Sequence, residues 1–211
     1  MPDSCPTAAT HLAVEPGQRF PLLAGILQFL YRRRIPVSAA VFLLLLAQDF
    51  FVGNKPHDVV NFRDPYSAIG VVLVLLGLVL RSWAAGVLQK DFSLTTSGPY
   101  RLTRNPLYIG SFLMMLGFCT VVGDAKNFAV ILGPMLFLYL LKVRDEESGL
   151  ARHFGSAWNQ YVQQTPRFFP RQVRTNGMAD WRLAEWLRSR EYQAVGTSLL
   201  ALIAIKLWHG M

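Results

Sequence analysis

One polar segment, SGPYRLTRNPLY at residues 97–108, separates two strongly apolar runs. Asn105 followed by Pro106 is typical of an N-cap and a first helical residue, so we expect a helix to begin here. The first turn of such a helix presents unpaired backbone N–H groups at its positive end, which suits an anionic ligand group. Arg101 and Arg104 add positive charge beside it. The alternative is that the arginines bind lipid headgroups and the tyrosines of the segment lie at a membrane interface.

Three consecutive acids, Asp145, Glu146 and Glu147, stand where a later apolar run ends. The C-terminal end of a helix disfavours negative charge, so the acids are poorly placed there unless they bind something cationic. A cationic ligand group is one interpretation. A solvated ion-pair cluster with Arg144 is the other.

The composition favours a membrane protein. Of 211 residues, 52% are hydrophobic and only 16% are charged, whereas about a quarter are charged in a typical soluble domain. The net charge of +8 comes from basic residues placed between apolar runs, which indicates cytoplasmic loops and argues against nucleic-acid binding. The two cysteines and four histidines show no metal-ligand spacing, so no metal site is expected.

The apolar runs predict an all-α, integral membrane helical bundle of about five transmembrane helices. The candidate spans are residues 35–53, 66–88, 107–123, 128–141 and 194–208, the last being short enough to lie shallowly instead. The third and fourth are joined only by DAKN, which predicts a helical hairpin at the core of the bundle. We expect three parts: an N-terminal tail with an interfacial helix (1–34), a membrane core (35–170), and a basic cytoplasmic segment with a C-terminal membrane helix (171–211).

The distribution of basic residues predicts the orientation. Arginines at 32–34 precede the first span, and further basic residues follow the second and fourth spans. By the positive-inside rule the N-terminus is cytoplasmic in a multi-pass protein. The segments 97–106 and 142–170 then face the cytoplasm together, and a cofactor site between them is expected on that side.

The two segments together resemble the isoprenylcysteine carboxyl methyltransferases and the related phospholipid methyltransferases. GPYRLTRNPLYIG (98–110) is similar to that family's G-x-Y-x-x-x-R-H-P-x-Y-x-G, and RDEESGLARHFGSAWNQYVQQTPRFFP (144–170) is similar to its R-x-E-E-x-x-L-x-x-x-F-G-x-x-Y-x-x-Y followed by prolines. Two departures stand out: Asn105 replaces the usual histidine, and Trp158 replaces a tyrosine.

The resemblance implies methyl transfer from S-adenosylmethionine to a lipid-like or isoprenoid acceptor taken from the bilayer. It also implies the site residues. The catalytic candidates, for acceptor alignment or charge stabilisation, are Arg104, Arg144 and Glu147. The cofactor-binding candidates are Tyr100, Asn105, Pro106, Tyr108, Gly110 and Glu146.

Two rival functions remain open at this stage. Sterol reductases have a similar RDE and closing prolines and use NADPH, although they are much longer chains. The other rival is a non-catalytic membrane protein with the same fold, for which the loss of the histidine at Asn105 is the best support. The retained acids argue against it, because a protein without a cationic ligand has little reason to keep them at a helix end.

Overall fold

The computed structural model describes residues 44–89, 93–170 and 180–211, which form helices and no strands. The all-α prediction is therefore confirmed for the described part. Residues 44–52 are helical. The other elements are α1 (Pro65–Val87), a 3-10 turn (Gly98–Arg101), α2 (Pro106–Val122), α3 (Ala125–Val130), a π turn (Ile131–Met135), α4 (Leu136–Gln164), α5 (Leu183–Arg188) and α6 (Glu191–His209).

Helices α1 and α2 pack directly backbone to backbone, because each carries glycines seven residues apart. A Cβ at Gly77 would lie 2.5 Å from the Gly110 carbonyl oxygen, and one at Gly117 would lie 2.5 Å from the Gly70 oxygen. A spacing of seven places both glycines of each helix on one face. This close pair is the frame on which the start of α2 is held.

The described residues support two of the predicted membrane spans. In the described residues two helices are long and apolar enough to cross a membrane, Pro65–Val87 and Ala125–Gln164, and Pro106–Val122 is apolar but shorter. Helix α6 has 19 residues, but its first turn is polar, with Glu191 and Gln193, so its apolar part is too short. The first predicted span lies partly outside the described residues, and the interfacial helix at 20–31 lies wholly outside them.

The predicted helical hairpin is present as a helix-turn-helix. Helix α2 ends at Gly123, whose left-handed backbone (φ 76) is typical of a helix C-terminus. The Asp124 carboxylate then accepts the Lys126 N–H at 2.7 Å, which starts α3. The π turn that follows contains Pro134, which has no N–H to donate within a helix.

Helix α4 bends sharply at Gly155, with φ 50 and ψ −116. This conformation is open to glycine and strained for other residues. Beyond the bend, the last part of α4 returns over the 3-10 turn, where the Tyr161 hydroxyl donates to the Tyr100 carbonyl oxygen at 2.6 Å. The bend therefore brings the end of the second motif segment (residues 144–170) back onto the first motif segment (residues 98–110).

Helix α6 is attached to α1 by a buried ion pair. The Arg81 guanidinium lies 2.7 Å from the Glu191 carboxylate and also donates to the Ser111 hydroxyl of α2. One arginine thus connects three helices.

Candidate active site

The site forms where the 3-10 turn, the start of α2 and the middle of α4 meet. Asn105 occupies the N-cap position and Pro106 begins α2, as predicted. The Asn105 side chain, however, makes no capping hydrogen bond. Its amide donates to Glu147 Oε1 at 3.0 Å and to the Arg167 carbonyl oxygen at 3.3 Å. The prediction of Asn105 at the N-cap position is thus confirmed, but its side chain does not cap the helix. The side-chain amide donates instead to the carboxylate of Glu147, which is far away in the sequence.

Glu147 is the centre of a buried polar cluster. Only 7% of the residue is exposed. Its carboxylate accepts from the Arg167 guanidinium at 2.6 and 3.0 Å and from Asn105, and it lies 3.6 Å from Arg104 Nε. One buried carboxylate therefore fixes two residues of the first motif segment and the end of the second.

The backbone after α4 reinforces this connection. The Arg104 N–H donates to the Pro166 carbonyl oxygen at 3.0 Å, and the Thr103 hydroxyl donates to the Arg167 carbonyl oxygen at 2.8 Å. The proline-rich end of the second motif segment is thus bonded to the turn before α2. Its role in the site is to hold that turn in place.

A cavity of about 530 Å³ opens beside this cluster. Both motif segments supply its wall, which consists of Leu88, Tyr100, Arg104, Asn105, Pro106, Leu107, Tyr108, Glu146, Gly149, Leu150, His153 and Phe154. Small-molecule sites usually enclose 300–1,000 Å³ and combine an apolar lining with few polar groups. This cavity fits that description.

A second cavity, of about 210 Å³, adjoins the first. The two share Leu88, Tyr100, Arg104, Leu150 and Phe154 as wall residues. Trp158 and Tyr161, from beyond the bend in α4, line only the smaller one. The shared wall places Tyr100 and Arg104 where the two cavities meet.

Two polar atoms at this junction lack hydrogen-bond partners. The Tyr100 hydroxyl and Arg104 Nε are both buried and make no hydrogen bond, although Arg104 Nε faces the Glu147 carboxylate at 3.6 Å. Burial raises the pKa of Tyr100 above its usual range, so the hydroxyl stays neutral and can donate. The Arg104 guanidinium also lies over the Trp158 ring, 5.8 Å from its centroid. A buried hydroxyl without a hydrogen-bond partner is costly, and a bound oxygen or anion would satisfy the Tyr100 hydroxyl.

Comparison with known proteins then identifies the family. The family model described as phospholipid methyltransferase matches residues 65–157. The chain is 31% identical over 174 residues to the cobalt-zinc-cadmium resistance protein CzcN of Cupriavidus metallidurans, covering 82% of this chain and 80% of that protein. This chain belongs to the phospholipid methyltransferase family.

Two further relatives are similar to this chain over shorter segments. The nickel-cobalt-cadmium resistance protein NccN of Alcaligenes xylosoxydans xylosoxydans is 28% identical over 145 residues, covering 68% of this chain and 67% of that protein. The protein-S-isoprenylcysteine O-methyltransferase of Schizosaccharomyces pombe is 27% identical over 128 residues, covering 54% of each chain. No solved structure gives a significant match.

Most of the site residues predicted from the family motifs lie together. Those in the wall of the larger cavity are Tyr100, Arg104, Asn105, Pro106, Tyr108 and Glu146. Glu147 lies behind the wall, in the buried cluster. Gly110 lies in the α1–α2 interface, where a Cβ would meet Arg81 Cγ at 2.6 Å. Arg144 is exposed and does not line either cavity.

Gly149, Leu150 and His153 were not predicted as wall residues, although their spacing from the predicted Glu146 is a signal for them. Glu146, Gly149, Leu150 and His153 follow an i, i+3, i+4, i+7 pattern, which is one face of a helix. Glu147 is one position later and faces a different side. Arg167 had no such signal, because its approach to Glu147 depends on the bend in α4.

Proposed function

We propose that this family member is an S-adenosylmethionine-dependent methyltransferase that acts on a lipid-like or isoprenoid acceptor. The observation that carries the proposal is the 530 Å³ cavity, whose wall is built from both family motif segments. A methyltransferase of this kind needs room for a polar donor and access for an apolar acceptor. We assign the donor to the larger cavity and the acceptor to the smaller one, which shares five of its wall residues.

The residues of the larger cavity fit the donor. Glu146, with 44% of its side chain exposed, can pair with a cationic group of the donor. The first turn of α2, starting at Pro106, also directs backbone N–H groups toward an anion. Apolar walls at Leu150 and Phe154 suit the adenine ring.

When bound, S-adenosylmethionine supplies an activated methyl group on a sulfonium sulfur. The chain's own residues then have to position the acceptor and exclude water. Tyr100 and Arg104, at the junction of the cavities, are placed to hold an acceptor oxygen. An acceptor carboxylate needs no base. An acceptor hydroxyl or amine must lose a proton, and His153 in the cavity wall can take it.

The apolar acceptor is supported by the outer surface of α1. Val72, Leu76 and Val79 are about half exposed and lie along one side of the helix. Exposed apolar side chains in such a row suit contact with lipid. An acceptor that is itself apolar could reach the smaller cavity from that environment.

Calorimetry on the detergent-purified full chain tests the proposal. S-adenosylhomocysteine, the expected product, should bind at one site per chain, and NADPH should not bind. Glu146→Gln should weaken S-adenosylhomocysteine binding about tenfold or more, since one charged hydrogen bond contributes about 1.5–3 kcal/mol and about 1.4 kcal/mol is a factor of ten. Binding of NADPH alone would instead support the reductase alternative.

A further inference from the structure

Helix α5 exposes its leucines instead of burying them. Leu183 and Leu187 are four residues apart, so they lie on one side of the helix, and they are 55% and 49% exposed. Glu185, on the opposite side, is half-buried. A helix on a water-facing surface normally has the reverse arrangement, with its apolar side toward the core. The outer side of α5 is therefore suited to an apolar environment.

Two hydrogen bonds fix the start of α5 to the last turn of α1. The Trp181 indole N–H donates to the Ser82 carbonyl oxygen at 3.0 Å, and the Arg182 N–H donates to the Gly86 carbonyl oxygen at 2.8 Å. The indole can lie this close to α1 because Gly86 has no side chain, and a Cβ there would collide with it. The level of α5 along α1 is therefore set by the backbone of α1.

This level matches the surface of a bilayer. Helix α1 has 23 residues and is about 35 Å long, whereas the hydrocarbon core of a bilayer is about 30 Å thick. If α1 crosses a membrane, its last turn lies at the boundary between acyl chains and headgroups. Trp181, attached there, is a residue type enriched at that boundary.

The exposed charges around α5 are mainly positive. Three arginines are exposed at its ends: Arg182, Arg188 and Arg190. Of the three acids in residues 180–191, Glu191 is bound by Arg81 and Glu185 is half-buried, so only Asp180 is exposed. Basic side chains beside an exposed apolar face are typical of helices that bind anionic membrane surfaces.

We propose that α5 lies in the interface of the bilayer that α1 crosses, with Leu183 and Leu187 among the acyl chains and Arg182 and Arg190 on anionic phospholipid headgroups. An amphipathic helix in this position buries its apolar side about 5–10 Å below the headgroups. The lipid contact does not depend on the methyl-transfer reaction. It does lie close to the candidate active site, because Leu88, the residue after α1, lines both cavities.

A nitroxide label on Leu187→Cys tests the insertion, using the full chain in nanodiscs of phosphatidylcholine and phosphatidylglycerol. Cys5 is replaced by alanine, and Cys119 is buried. Paramagnetic resonance should show that the label collides more often with oxygen, which concentrates among acyl chains, than with a water-soluble nickel chelate. The matched control is Asn159→Cys on the exposed, polar end of α4, whose label should favour the chelate.

Two results of this experiment would overturn the proposal. A Leu187 label as accessible to the chelate as the Asn159 label would place α5 in water. A Leu187 label shielded from both oxygen and chelate would mean that protein, from this chain or from a second copy, covers the leucines. Because Leu187 is half exposed, its replacement leaves the core of the protein unchanged.

Native mass spectrometry of the detergent-purified chain tests the headgroup contact. Arg182→Gln combined with Arg190→Asn should weaken phosphatidylglycerol binding about fivefold for each arginine and leave phosphatidylcholine binding unchanged. Asparagine is chosen at Arg190 because it tolerates the left-handed backbone found there, with φ 57. The control, Lys55→Gln with Arg63→Gln, removes two exposed charges near the other end of α1. An equal loss in the control, or no loss in the arginine variant, would contradict the proposed headgroup contact.

Discussion

Glutamine in place of Glu147 should destabilise the fold, whereas the same change at Glu146 should not. The Glu147 side chain is 9% exposed and accepts two bonds from Arg167, and it faces Arg104, whose side chain is 11% exposed. Removing one partner of a buried ion pair costs about 3–5 kcal/mol. The Arg167 side chain is 44% exposed, so water can solvate its guanidinium once the Glu147 charge is removed. We therefore expect the free energy of unfolding to fall by about 3 kcal/mol, at the low end of that range.

Glu146, the neighbouring residue in the same helical turn, is much more exposed than Glu147. Its side chain is 44% exposed and pairs with Lys142 at 3.3 Å. Exposed pairs of this kind contribute less than about 1 kcal/mol. Because Glu146 lines the cavity, its replacement should weaken ligand binding while leaving the fold intact.

Thermal unfolding followed by tryptophan fluorescence, run beside S-adenosylhomocysteine titration, separates the two effects. A loss of 3 kcal/mol should lower the Tm of Glu147→Gln by about 6–12 °C in a chain of this size. Glu147→Asp, which keeps the charge, should recover part of that loss. A Glu147→Gln protein with wild-type Tm and no ligand binding would refute the reasoning, since Glu147 would then contact the ligand directly.

The other predictions concern the backbone and one surface ion pair. Gly155→Ala should lower the free energy of unfolding by about 1–3 kcal/mol, because Gly155 has a positive φ. Gly196→Ala, in open space on α6, should leave it unchanged or raise it by up to about 1 kcal/mol. Chemical denaturation in detergent measures both. Gly77→Ala should cost about 1–3 kcal/mol by the same assay, because the new methyl group would meet the α2 backbone at 2.5 Å, and an unchanged midpoint would contradict the described α1–α2 packing. The Lys206 hydrogen bond lowers the pKa of Asp58, so the pair's contribution should be complete above the ordinary pKa of 3.8 and fall as the pH drops below it; Tm measured against pH should show this acid loss in wild type and not in Asp58→Asn.

Local signals in the sequence predicted much of the fold correctly. Proline at the first helical position fixes the start of α2, and the short DAKN turn fixes the hairpin, because both depend on residues adjacent in the chain. The side-chain bonding of Asn105 could not be predicted in the same way. Glu147 is 42 positions away, and the bond between them exists only once α4 has packed on the turn.

The consecutive acids Glu146 and Glu147 show what the family motif predicts and what it does not. The family motif named both Glu146 and Glu147 as site residues, and the structure places the first in the wall of the larger cavity and the second in the buried cluster. In a helix, adjacent residues point about 100° apart, so one acid faces the cavity and the other the buried cluster. Applying helical periodicity to this stretch would also have predicted Leu150 and His153.

Hydropathy alone predicted about five spans, and two helices of the described residues are long and apolar enough to cross a membrane. Helix α2 has only 17 residues, and α6 begins with a polar turn. Both were counted as spans from their apolar cores. Helix α2 is at the short end of the range for a membrane span, and the apolar part of α6 is shorter still.

Transfer of a labelled methyl group tests the central claim most directly. The purified full chain in lipid nanodiscs would be incubated with S-adenosylmethionine labelled in its methyl group and a total lipid extract, and the organic phase counted. Wild type should place label in the organic phase, and Glu146→Gln, which keeps its fold, should place much less. No label above the level of heat-denatured protein, from a chain that remains folded, would contradict the proposed methyl transfer to a lipid-like acceptor.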